Sequence, residues 1–303
     1  MVSVLIPVYN RGLEIEILLN SFVNEYYTNN ADFEVIVIDD ISDDGTFEIV
    51  FQYSSKYDFI KLIKSGYRSP GMSRNLGSEV ASNDWLLYCD SDNLMIPNWS
   101  VELKEILLKY SNFDGIWFPA CCNNVVLTSS KYTLKGDHII SPYFYFNNYI
   151  GEVVHCVKRS FLVNNKYYYL KGTSNDFPDL LWFSLFSNSN YKVVFVNTII
   201  QEYFMNSSDR ISSDISVAKN NSQIMHYKLV LIQLLRSRYV FSWYFIKIVF
   251  KFFFFILIVD DRVVSLKNQI GFLRIISRFS FCFGLGNFLL KKLRERKNEN
   301  IIR

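Results

Sequence analysis

Asp90-Ser91-Asp92 follows the apolar run Trp85-Leu-Leu-Tyr-Cys89, and two carboxylates one residue apart can hold a hard divalent cation. A short apolar run that ends in acid reads as a buried strand emerging at the carboxyl edge of a sheet, where open α/β sheets bind ligands. Successive side chains of a strand alternate faces, but where strand gives way to loop both carboxylates can turn toward one Mg²⁺ or Mn²⁺ carrying a phosphate-bearing substrate. Asp and Asn are also ordinary turn residues, so the triplet alone leaves a cation site and a solvated turn both open.

The elements that would position this pair alternate. Val2-Ser-Val-Leu-Ile-Pro-Val8 is a β-branched run that stops at the turn Tyr9-Asn10-Arg11-Gly12. Apolar residues from Leu13 to Tyr27 then recur near helical spacing. Phe33-Glu-Val-Ile-Val-Ile-Asp39 repeats the strand that ends in acid, and Ser42-Asp43-Asp44-Gly45-Thr46 opens a second helix reaching about Tyr57. A strand over Phe59–Ile63, a helix over Gly71–Ala81 and a helix over Val101–Tyr110 complete the pattern of a largely parallel sheet with helices on both faces. Tyr9, Asp39 and Asp90 would then share one sheet edge. No G-x-G-x-x-G follows the first strand and no G-x-x-x-x-G-K-[ST] loop occurs, so phosphates must be held by another device. Beyond residue 112 the strands Gly115–Ala120, Val125–Leu127, Val153–Lys158 and Tyr191–Val196, with a helix near Leu180–Phe186, suggest a mixed sheet that supplies an acceptor surface.

Four segments together, Val2–Asn10, Val35–Thr46, Gly71-Met-Ser-Arg-Asn-Leu-Gly77 and Leu87–Asp92, resemble the family-two inverting glycosyltransferases of GT-A fold. The resemblance weakens toward residue 215 and then ceases. It implies an α/β fold with a nucleotide-sugar-binding half at 1–112 and an acceptor half at 113–215; composition and patterning, not the resemblance, set 216–303 apart as a helical, basic region. Carried onto this sequence, it implies that Pro7, Tyr9, Asp39, Arg74 and Asp90 hold the nucleotide, and that Asp92 with Asp90 holds Mn²⁺ or Mg²⁺. The donor would be a nucleotide diphosphate sugar, usually a UDP-sugar. The acceptor would be a glycan or lipid-linked hydroxyl in cell-surface polysaccharide biosynthesis, expected of a bacterium. The residue types suit these roles: Tyr offers a face to a base, Asp an acceptor, and Arg a balance for phosphate charge.

An inverting member also needs a carboxylate base. Asn175-Asp176 stands where the family places Glu-Asp, which makes Asp176 the base, with Asp179 the alternative. Both acids also suit a helix N-terminus around Pro178 without any catalysis. A Tyr-Arg-x-His segment found in relatives is replaced by Glu202-Tyr203-Phe-Met-Asn206, with Arg210 further on. Glu152 could face the donor sugar, and His155 reads as core. Gln233-Leu-Leu-Arg236 is followed by Ser237 rather than Trp, so one sugar per encounter is expected rather than processive synthesis. Two rivals remain: a non-catalytic sugar-nucleotide-binding scaffold on the same fold, and a phosphatase resembling the haloacid dehalogenases with Asp90 as nucleophile.

The charge is uneven. Residues 1–224 carry 17 Lys+Arg against 25 Asp+Glu, a net −8, and residues 225–303 carry 15 against 4, a net +11. Val240–Val259 is almost wholly apolar except for Lys247 and Lys251, and Arg274 with Arg278 repeats their four-residue spacing. That patterning suits a helix lying on an anionic membrane better than one binding nucleic acid, with a soluble packing or dimer element and a true membrane span left open as alternatives. The five cysteines lack metal-like spacing and are expected to be reduced. The first strand begins directly after Met1, so no secretory signal is expected. These features predict a cytoplasmic protein, peripheral on the inner face of the cell membrane.

Overall fold

The structure, a computed structural model, describes residues 1–128, 136–147, 152–167, 178–187 and 191–203, and also 230, 248 and 249. The chain divides into two compact units, Met1–Phe253 and Phe254–Arg303, and every described residue lies in the first. The basic i, i+4 pairs Lys247 with Lys251 and Arg274 with Arg278 fall outside the described residues.

β1 (Val2–Val8) and β2 (Phe33–Asp39) are buried at every position, as strands covered on both faces must be. β1 pairs in parallel with β2 on one side and with β4 (Trp85–Tyr88) on the other, and β2 pairs in parallel with β3 (Ile60–Lys64). The crossovers are α1 (Gly12–Thr28), α2 (Thr46–Lys56) and α3 (Pro70–Val80), each within a residue or two of the ends that periodicity predicts. Because these strands run the same way, their carboxyl ends share one edge.

Beyond β4 the direction reverses. β10 (Val153–Lys158) lies antiparallel between β4 and β6 (Gly115–Pro119). β11 (Val193–Phe195) runs parallel to β6, and β9 (His138–Ile140) closes the sheet antiparallel to β11. The order is β3-β2-β1-β4-β10-β6-β11-β9. A second sheet joins β5 (Asn93–Met95), β12 (Gln201–Tyr203), β7 (Cys121–Cys122) and β8 (Val125–Val126). Its strands are two or three residues long, too short for a period of two to register in sequence.

One face of the large sheet packs Val4, Ile6, Val35, Val37, Leu87 and Phe118 against Leu18 and Phe22 of α1 and Trp99 and Leu103 of α4 (Trp99–Lys109). The buried carboxylate of Glu25 on α1 accepts from the amides of Asn98 (3.0 Å) and Ser100 (3.1 Å) and from Ser100 Oγ (2.5 Å), satisfying donors that a helix start leaves without intrahelical partners. The opposite face is aromatic. α5 (Pro142–Asn147) precedes β10 and α6 (Arg159–Asn164) follows it. α7 (Pro178–Ser187) sets Trp182 and Phe186 edge-on to Trp117 at 5.6 and 5.7 Å. Tyr145 of α5 stacks on Phe186 at 4.4 Å. Much of the chain's 17% aromatic content therefore has a packing role.

Candidate active site

The nucleotide end is built from two loops tied to each other. Asn10, at φ 51, and Ile41, at φ 63, take the left-handed conformation just past β1 and β2. The Asn10 amide donates to Asp43 Oδ1 at 2.7 Å and accepts from the Asp43 N–H at 3.0 Å. Arg11 N donates to Thr46 Oγ1 at 2.9 Å, and Thr46 Oγ1 donates to Asp44 Oδ1 at 2.5 Å. Burial works to raise the Asp44 pKa, but hydrogen bonds from Thr46 and Gly12 outweigh it and hold the carboxyl below its ordinary value. Between the tied loops stand the expected nucleotide residues. Pro7 lies within β1 opposite Ile38, and the Tyr9 ring is 48% exposed. Asp39 is 2% exposed, with Oδ2 accepting from Ser42 N at 3.3 Å and Oδ1 buried without a partner among the described residues. An unpaired buried acceptor is costly unless a ligand donates to it.

Arg74 reaches the same edge because α3 is pinned at its start and fits closely along its length. The buried carboxylate of Asp40 accepts from Arg68 N at 2.9 Å and Ser69 N at 2.7 Å. Ser69 Oγ then caps the helix by accepting from Met72 N at 3.2 Å, and Pro70 occupies its first turn. A Cβ on Gly77 would meet Ile38 Cδ1 at 3.0 Å and Leu5 Cδ2 at 3.1 Å, so glycine is what lets α3 approach β1 and β2. Arg74 pairs with Asp90 Oδ1 at 2.5 Å and lies 5.2 Å from the Tyr88 ring centroid. The arginine expected to balance phosphate thus also holds a carboxylate of the acidic pair. That contact was not legible from the motifs.

Asp90 O accepts from Asn93 N at 3.1 Å, a turn that places Asp92 immediately before β5. Across from Asn93 in the second sheet stands Tyr203. Burial first, then the charges of Asp90, Glu152 and Asp92, push the Tyr203 hydroxyl above its ordinary range, and Arg74 opposes them. Acids from two parts of the chain, Asp90 with Asp92 and Glu152, therefore act on one phenol. Oxygen donors of this kind suit Mg²⁺ or Mn²⁺, which take one or two carboxylates and complete their shell with substrate phosphates and water. Among the described residues no three His, Cys, Asp or Glu side chains group as a ready-made metal site.

His155, half-buried on β10, stacks on Trp182 at 4.3 Å and meets Trp117 edge-on at 5.0 Å. Burial, with the Arg74 charge added, lowers its pKa to about 3, so it packs as a neutral ring. Cys89 is buried, and desolvation together with Asp90 and Asp92 raises its thiol pKa well above normal, which leaves it inert. All four described cysteines are free. Asp179 stands in the first turn of α7, whereas Asp176 and Arg210 lie outside the described residues. Sequence reasoning gave Asn10 and Asp43 only as turn residues and did not single out Asp40. They serve as loop ties, and the two turns and the doubled Asp39-Asp40 are their traces in the sequence.

A parallel α/β half carrying acids at its edge, joined through a reversed strand to a mixed half, defines the GT-A class of fold. Residues 3–168 match Glycosyl transferase family 2, and the chain belongs to that family. An uncharacterised glycosyltransferase of Haemophilus influenzae is 30% identical over 125 residues, covering 41% of this chain and 40% of that one. TarS of Staphylococcus aureus, a poly(ribitol-phosphate) beta-N-acetylglucosaminyltransferase, is 35% identical over 92 residues, covering 30% of this chain and 16% of that one. These matches span less than half of either relative's length. The structure of TarS 1–349 in complex with UDP-GlcNAc aligns with a TM-score of 0.63 at 18% identity, covering 90% of this chain and 78% of that one. Mannosyltransferase PcManGT from Pyrobaculum calidifontis, in complex with GDP-Man and Mn²⁺, aligns with a TM-score of 0.55 at 13% identity, covering 95% and 84%. A phosphatase nucleophile would follow the first strand of its chain, whereas Asp90 follows the fourth.

Proposed function

We propose that this protein transfers one sugar, with inversion, from a UDP-sugar to a hydroxyl of a glycan or lipid-linked acceptor. The observation that carries the reading is the shared edge: Asp39 with an unpaired buried oxygen, exposed Tyr9 and Asp90 stand at the ends of adjacent parallel strands, and Arg74 of α3 bonds to Asp90 there. Tyr9 offers its face to the base, Asp39 accepts from a base N–H, and Arg74 neutralises diphosphate charge. Asp92 and Asp90 hold a divalent cation. Such a cation supplies Lewis acidity to a leaving nucleoside diphosphate, on which negative charge develops as the glycosidic bond breaks. Asp176 takes the acceptor proton, with Asp179 the alternative from the first turn of α7.

The names of the similar proteins support the class of donor and acceptor: TarS was crystallised with UDP-GlcNAc and is named a poly(ribitol-phosphate) beta-N-acetylglucosaminyltransferase. A lipid-linked or phosphodiester-linked surface polymer is the acceptor to test first. In this reading residues 1–215 carry catalysis and 216–303 hold the enzyme to the inner leaflet.

Full-length protein incubated with UDP-sugars and Mn²⁺ should release UDP, and Asp92→Asn should lower turnover roughly 100-fold while donor affinity changes less. Asp176→Asn should bind donor yet fail to transfer. Wild-type turnover in Asp92→Asn at limiting Mn²⁺ would refute the cation role. Wild-type protein that binds no nucleotide sugar would refute the reading as a whole.

A further inference from the structure

We propose that Glu152 and Tyr203 hold the sugar of the donor and set which sugar is accepted, an inference that rests on the nucleotide-sugar reading above. The order of strands sets the order of chemistry along the site edge. Asp39 ends β2, Tyr9 follows β1, and Asp90 follows β4. Neighbouring strands lie about 4.8 Å apart, so the edge runs in steps from base acceptor to aromatic face to charged pair. β10 is the next strand, and it runs the other way. It therefore delivers to this edge the residue before its start, Glu152.

The register places Glu152 closely. Cys156 pairs with Leu87, and the ladder continued three residues further brings Val153 opposite Asp90. The other neighbour agrees, since Val153 pairs with Pro119 at the end of β6. The Glu152 backbone is fixed there: its carbonyl accepts from Thr128 Oγ1 at 2.5 Å, and buried Thr128 in turn accepts from Ala120 N at 2.9 Å. The side chain is exposed, and among the described residues nothing hydrogen-bonds its carboxylate. Tyr203 comes to the same place from the second sheet, through its pairing with Asn93 next to Asp92.

Charge then decides what Glu152 meets. A third carboxylate facing a diphosphate would oppose binding, because like charges at close range repel. Facing the neutral, hydroxyl-rich end of the donor, it accepts from two adjacent hydroxyls instead. Tyr203 complements it with a hydroxyl that can donate or accept and a ring that can cover an apolar sugar face. One strand beyond the diphosphate position, the chemistry thus changes from charge-neutralising to hydroxyl-recognising.

The test measures calorimetric affinities of UDP, UDP-glucose, UDP-galactose and UDP-N-acetylglucosamine, each with Mn²⁺, for full-length wild type, Glu152→Gln and Tyr203→Phe. UDP should bind Glu152→Gln as tightly as wild type or more tightly, since a repelling charge is gone. The preferred UDP-sugar should bind it roughly tenfold more weakly or worse, the typical effect of losing a hydrogen bond to a charged group. Tyr203→Phe should narrow the spread of affinities among the three sugars. If Glu152→Gln keeps the wild-type ratio of UDP-sugar to UDP affinity, the sugar-side assignment fails while the nucleotide reading stands. If wild type does not bind UDP, both fail.

Discussion

Ile41 is the residue under the clearest backbone strain. Its φ of 63 lies in the left-handed region, which costs a residue with a Cβ about 1–2 kcal/mol and suits a β-branched side chain least. The side chain is 55% exposed and its Cδ1 approaches Gly66, so little burial offsets that cost. Ile41→Gly should therefore stabilise the protein by about 0.5–1 kcal/mol, after the greater unfolded-state freedom of glycine is subtracted. Urea denaturation monitored by circular dichroism checks this, with a raised midpoint and an unchanged slope expected. Strain at the rim of a binding loop is a known companion of function. A loss of UDP affinity in the stabilised variant would show that Ile41 is kept for what it touches in the complex.

Two buried carboxylates illustrate how elements are fixed, with opposite consequences for activity. Glu25 joins α1 to the start of α4, and Asp40 joins β2 to the start of α3. Replacing either by Ala leaves two backbone N–H groups without their acceptor, a loss of about 2–3 kcal/mol of stability. Only α3 carries a site residue, so Asp40→Ala should also raise KM for the donor several-fold, whereas folded Glu25→Ala should keep its kinetics. Equal kinetic effects in the two would count against Asp40 as the support for Arg74. The major elements were legible because long apolar runs and helical periods leave little choice of face, and all three predicted strand ends at Tyr9, Asp39 and Asp90 do share an edge. Of the second sheet only the strand at Val125–Leu127 was legible, since Asn93–Met95 and Gln201–Tyr203 acquire strand character only by pairing with each other. The ion pair of Arg74 with Asp90 escaped for a similar reason. Each residue had a reading of its own, and their contact depends on how closely Gly77 lets α3 settle.

Across the whole molecule the separation of charge is the dominant feature, with −8 in residues 1–224 and +11 in 225–303. Among the described residues no helix is long and apolar enough to cross a membrane. Attachment through the basic region should appear as co-sedimentation with vesicles containing anionic lipid, weakened by salt because the Debye length shortens to about 3 Å at 1 M. Protein that stays in the supernatant at low salt would remove the membrane from the proposal. The reversal of β10 has a further consequence, for how such an enzyme can diversify. The residues proposed to hold the nucleotide sit at the trailing ends of β1, β2 and β4, whereas Glu152 sits at the leading end of a strand whose other partner is β6. Under the proposed reading, the boundary between β4 and β10 would be a joint between a nucleotide handle and a sugar-selecting head. Substitutions at the leading end of β10 should then change sugar preference while UDP affinity is kept.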